Sequence, residues 1–172
     1  INLWARDLLD LDLPAKLAAR LARHGADGRD LCLETTESAV MADIDRARQT
    51  LLKLREAGFK LSIDDFGEGQ TSMRYLKDLP VHELKIDMVF VKGLQTDVRN
   101  ESIVRALAEV GHEYGLTVVA EGVENAAVAQ RLAELGCDEG QGWHFAKPMP
   151  AAELRQWAAA YRERQAAALA PA

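Results

Sequence analysis

Four times along this chain a helical run of apolar residues ends at a glycine and a short β-rich run follows. No other feature limits the possible folds as strongly. The helical patterns occupy residues 13–24, 43–57, 100–114 and 125–135, and they stop at Gly25, Gly58, Gly115 and Gly136. Inside them apolar residues recur at helical spacing, as with Ile44, Ala47, Leu51 and Leu54, or Ile103, Val104, Leu107 and Val110. A glycine just past the last periodic residue is a helix stop, because only glycine takes the left-handed backbone there without steric cost. The strand candidates are residues 1–3, 31–34, 60–65, 83–87, 116–121 and 140–145, and a last helical pattern over 151–165 follows Pro148 and Pro150. Repeated βα units predict a parallel sheet, either an open doubly wound one or a closed (β/α)8 barrel.

Composition narrows the class without naming a function. The 172 residues are 48% apolar and 28% charged, enough to bury a core and unlike a disordered chain. The formal net charge of −6 argues against binding a nucleic-acid polymer through a general basic patch. No apolar run approaches the ~20 residues that span a bilayer. Cys32 and Cys137 make neither a metal-ligand spacing nor a disulfide framework, which fits a reducing cytoplasm. His24, His82, His112 and His144 do not cluster, so each reads as a surface or core histidine before it reads as a ligand.

The two architectures place function differently. A nucleotide-binding open sheet carries a Gly-rich turn after its first strand, and Gly67-Glu68-Gly69 lacks the rest of that fingerprint. A barrel instead gathers functional residues at the carboxyl ends of several strands. Here the strand candidates close on Glu34, Asp64-Asp65, Lys85 with Asp87, and Glu121. Strand side chains alternate faces. If Leu31, Leu33, Leu61, Ile63, Leu84 and Ile86 face the helices, then Glu34, Asp64, Lys85 and Asp87 point inward, with Glu121 and Asn2 joining them. Carboxylates crowded into one low-dielectric mouth repel, and a divalent cation relieves that cost. An all-oxygen ligand set favours Mg²⁺, Mn²⁺ or Ca²⁺ over zinc, and two adjacent aspartates suit a two-metal site for displacement at phosphorus.

Several segments carry a family resemblance. Asp64-Asp65-Phe66-Gly67, Leu84-Lys85-Ile86-Asp87, Leu33-Glu34-Thr35-Thr36-Glu37-Ser38 and Ala120-Glu121-Gly122-Val123-Glu124 resemble the DDFG, LKID, LExTES and AEGVE signatures of EAL domains. Asn2-Leu3 is similar to the family's NLS segment, and Gly140-Gln141-Gly142 with Lys147-Pro148-Met149-Pro150 to its closing QGxxFxKPMP. The similarity runs over residues 1–154. It implies a modified (β/α)8 barrel, an α/β fold represented here by about six of eight strands. It also implies a phosphodiesterase that hydrolyses cyclic di-GMP to the linear dinucleotide pGpG with Mg²⁺ or Mn²⁺.

Carried over by resemblance, Asn2, Glu34 and Asp64 hold one metal, and Asp64, Asp65 and Glu121 hold the second. Lys85 orients or helps activate the attacking water, and Glu121 assists as base. Gln141 lies near that water, Glu124 and Asp87 support the site, and Glu37 steadies the loop after the aspartate pair. Cyclic di-GMP is the expected partner, in a homodimer formed through residues 74–81 and 89–99. The domain is expected in the cytoplasm, with sensory or GGDEF domains attached in the parent protein and membrane anchorage possible through them. The expected division is an EAL domain over 1–165 and an Ala-rich tail over 166–172.

The departures are specific. The Glu-Ala-Leu signature, whose Glu supplies one ligand to the first metal, would lie upstream of Ile1, so weak or no turnover is expected of this stretch alone. The loop after the aspartates reads Gly67-Glu68-Gly69-Gln70-Thr71-Ser72-Met73, with Glu68 and Gln70 where the family has Thr and Tyr. That change keeps open a catalytically inactive receptor or signalling scaffold. Trp4 replaces a small residue and is expected to narrow the mouth, Met88 stands where Arg is common, and Thr35 replaces Ile. Trp143, Phe145 and Trp157 read as packing residues, with Trp143 the one candidate for a ligand base.

Overall fold

The computed structural model describes residues 1–67 and 73–169. Among the described residues six strands form one parallel sheet in the order of the sequence: β1 (Asn2–Leu3), β2 (Cys32–Thr36), β3 (Lys60–Phe66), β4 (Glu83–Ile86), β5 (Thr117–Glu121) and β6 (Glu139–Gln141). The main crossover helices are α2 (Leu13–Ala22), α4 (Ile44–Glu56), α7 (Val98–Glu113) and α8 (Ala126–Glu134), and α9 (Ala151–Leu169) closes the described chain. Gly25, Gly58, Gly115 and Gly136 all have positive φ, between 65° and 98°, so the four glycines end the helices as the sequence predicts. At the other ends Asp43, Asp97 and Asn125 cap α4, α7 and α8 by accepting from the amides of Arg46, Arg99 and Val128.

The period-two argument holds for the core. Leu33, Leu61, Ile63, Leu84 and Ile86 are at most 1% exposed, and they pack with Leu51, Leu54, Val104 and Val128 from the helix layer. Each such side chain contributes about 1.5–3 kcal/mol through burial, which fixes the sheet face and with it the face left for polar residues.

Several boundaries differ from the sequence reading. Among the described residues four one-turn helices appear after strands: α1 (Ala5–Leu8), α3 (Glu37–Met41), α5 (Met73–Leu76) and α6 (Met88–Lys92). They are too short to show a period. The helix expected over 100–114 begins at Val98, because Asp97 supplies its cap. The strand expected over 140–145 ends at Gln141, since Gly142 and Phe145 close a turn through a 3.1 Å amide–carbonyl bond. Alanine, the strongest helix former, carries α9 on to Leu169, past the expected end at 165. Among the described residues no helix is long and apolar enough to cross a membrane.

Candidate active site

The inner face of the sheet carries two polar layers. In the lower one, Glu83 is buried beside Lys60, with which it forms an ion pair, and accepts a long 3.7 Å contact from the Cys32 thiol. Burial, then the Glu83 and Glu34 carboxylates, push that thiol up to about 11. The sequence argument misses Glu83, although it shares the inward parity of Lys85 two residues on.

In the upper layer Lys85, only 3% exposed, points its ammonium among three carboxylates. Its Nζ lies 2.5 Å from Glu121 Oε1, 3.0 Å from Asp64 Oδ1 and 3.6 Å from Glu34 Oε1. Burial alone would lower the lysine's proton affinity, but the contacts with Glu121 and Asp64 outweigh it and hold the group above the ordinary lysine range. Glu121 is also shifted upward, first by burial and further by the charges of Asp64 and Asp65, against the pull of Lys85.

Adjacent residues of a regular strand point to opposite faces, so Asp64 and Asp65 could not both serve one site. The strand solves this with a break in register between Ile63 and Phe66, where Asp65 adopts φ 53°. Aspartate tolerates this left-handed backbone better than most residues. As a result Asp64, Asp65 and Glu121 each bring a carboxylate oxygen within 4.8 Å of the others. Asp64 Oδ1 is buried and makes no aligned hydrogen bond, despite its proximity to Lys85. Three converging hard oxygens fit a divalent cation of the Mg²⁺, Mn²⁺ or Ca²⁺ type.

The remaining expected residues fall into two groups. Asn2 pairs in register with Glu34, and Gln141 with Glu121, so both reach the same mouth from the edge strands. Glu37, buried at the start of α3, accepts from the Gly67 amide at 3.5 Å, at the exit of the aspartate strand. Asp87 and Glu124 stand apart from the carboxylate cluster. Asp87 lies one residue past β4, and its Oδ1 accepts from the Val89 amide at 2.6 Å as the cap of α6. Glu124 pairs with Lys92 at 3.6 Å on the rim.

Beside the carboxylates opens a cleft of about 550 Å³ whose lining includes Met88, Glu121, Gln141, Trp143, Lys147 and Trp157. Trp143 is 66% exposed, with the Lys147 ammonium 5.1 Å from its ring centroid, so it is a cleft wall rather than a packing residue. Phe145 does pack, at the margin of the core and edge-on to His144. Trp4 is 68% exposed and does not line this cleft. Thr35 is buried. Glu68 and Gln70 lie outside the described residues.

The EAL domain family model matches residues 1–148. The bifunctional diguanylate cyclase/cyclic di-GMP phosphodiesterase MucR of Pseudomonas aeruginosa is 41% identical over 154 residues, which are 90% of this chain and 22% of that protein. The chain spans about a fifth to a quarter of the length of curated relatives it matches. The EAL domain of Mycobacterium smegmatis DcpA superposes with a TM-score of 0.86 at 37% identity, over 93% of this chain and 72% of that one. The manganese/cyclic di-GMP complex of Klebsiella pneumoniae BlrP1 does so with a TM-score of 0.79 at 32% identity, over 86% and 38%. Six sequential parallel strands, polar strand ends of one parity and this match agree: the chain belongs to the EAL domain family, with six strands of its (β/α)8 barrel.

Proposed function

We propose that this chain forms most of a metal-dependent phosphodiesterase that opens cyclic di-GMP to linear pGpG. The observation that carries this reading is the convergence of Asp64, Asp65 and Glu121 around a buried Lys85, beside a cleft of ligand size. Cyclic di-GMP is bound by a structural neighbour together with manganese.

Asp64, Asp65 and Glu121 would hold one Mg²⁺ or Mn²⁺. Asn2, Glu34 and Asp64 would hold the other. The cations supply Lewis-acid polarisation of the scissile phosphodiester. Lys85 contributes a fixed positive charge where negative charge develops at phosphorus, inside a buried site where such a charge acts strongly. Glu121, whose proton affinity is raised by burial, is suited to take a proton from the attacking water. Gln141, opposite Glu121 in register, orients that water through its amide. Glu37 fixes the exit of the aspartate strand through Gly67, Asp87 holds the start of α6, and Glu124 positions Lys92 at the rim.

The full-length protein incubated with cyclic di-GMP and Mn²⁺ should yield pGpG, and Asp64→Ala should reduce the rate by at least about a hundredfold. Tight binding of cyclic di-GMP without turnover at saturating metal would overturn the enzyme and identify a receptor instead. Assembly as a homodimer through residues 74–81 and 89–99 and residence in the cytoplasm complete the reading.

A further inference from the structure

The carboxylates proposed to bind metal are already engaged. Lys85 Nζ sits 2.5 Å from Glu121 Oε1 and 3.0 Å from Asp64 Oδ1, and both residues belong to the converging oxygen cluster. Among the described residues no other cation lies within ion-pair distance of Glu34, Asp64 or Glu121. The ammonium is almost fully buried, on β4 at the centre of the sheet, so solvent screens little of its interaction.

We infer that Lys85 is the built-in counter-ion of the carboxylate cluster and competes with a divalent cation for Asp64 and Glu121. The inference rests on the reading of the carboxylate cluster as a divalent-cation site. A divalent cation drawing on Asp64 and Glu121 competes with the Lys85 ammonium for the same two carboxylates, and positive charges a few ångström apart in a buried site repel. Cation binding therefore weakens the hold of Glu121 and Asp64 on Lys85. The ammonium that balances the clustered carboxylates would be less tightly paired with a cation bound, while its position on β4 keeps it at the site. Lys85 thus sets the metal threshold of the site as well as serving its chemistry.

This makes a prediction opposite to that for an ordinary supporting residue. Lys85→Met keeps the length of the side chain and removes its charge. It should bind Mn²⁺ at least about tenfold tighter by calorimetry, even though turnover is lost. Lys85→Arg, which keeps the charge, should stay within a few-fold of the parent. Equal or weaker Mn²⁺ binding by Lys85→Met, in a variant that still melts cooperatively, would overturn the inference.

Should Lys85→Met fail to fold, the unmodified protein decides. Its Lys85 ¹⁵Nζ resonance should move in step with Mg²⁺ occupancy, and a resonance that stays fixed while Mg²⁺ binds overturns the idea. Absence of divalent-cation binding in both proteins sinks the proposed function and this inference together, whereas equal binding by both removes the inference alone.

Discussion

Asp65 shows how a single backbone dihedral decides chemistry. At φ 53° it lies in the left-handed region, and this break in the pleat lets two consecutive aspartates serve one site. Asp65→Asn keeps a residue that tolerates this backbone and removes only the charge. Its melting curve should therefore stay within about 0.5 kcal/mol of the parent, while Mn²⁺ affinity falls at least about tenfold. A large loss of stability with unchanged metal affinity would contradict that assignment. The two cysteines give a second residue-scale test. Burial pushes Cys32 up to about 11 and Cys137 up to about 12. A raised thiol is neutral below its shifted value, so at pH 8 only on the order of one part in a thousand is thiolate or less. Iodoacetamide at pH 8 should leave both unmodified in the native protein and label both after denaturation. At this scale much was legible from sequence: residue type and strand parity select Glu34, Asp64, Lys85 and Glu121 together. Parity also assigned Asp87 inward, but β4 has ended by then and the carboxylate caps α6.

The elements are held by short-range devices that the sequence displays openly. Asn125 Oδ1 accepts from the Val128 amide at 3.0 Å and begins α8. Asn125→Ala should cost about 1 kcal/mol, seen as a fall in melting temperature of roughly 2–4 °C. Gly142 does a different kind of work. A Cβ there would overlap the backbone of Val123, which is how closely the end of β6 approaches the segment after β5. Gly142→Ala should shift that segment, lower stability by about 1–3 kcal/mol and disturb Gln141 at the cleft; an unchanged melting temperature would refute the close packing. Helices with caps and glycine stops were readable because both signals are local. The one-turn helices α1, α3, α5 and α6 were not, since a single turn shows no period and its stability comes from the strands it follows.

The whole molecule is a parallel sheet with one apolar face under helices and one polar face gathered toward a mouth. Its outer surface leaves Val89 57% and Val98 75% exposed, within one of the two segments expected to pair protomers. Val89→Asp with Val98→Asp should convert a dimer to monomer in sedimentation without lowering the melting temperature of the fold; a parent protein that is monomeric at high concentration would remove the dimer reading. What the sequence determined by itself was the order of the elements, the side of each strand that faces the helices, and the family. Those follow from periodicity, glycine stops and motif order, all properties of neighbours along the chain. Only the tertiary structure decided that Asp65 turns in beside Asp64, that Glu83 pairs with Lys60 in a second buried layer, and that Trp143 rather than Trp4 lines the cleft. Each of these depends on cross-strand register and on where the pleat breaks. That is fixed by packing between distant segments, and periodicity along one strand carries no record of it.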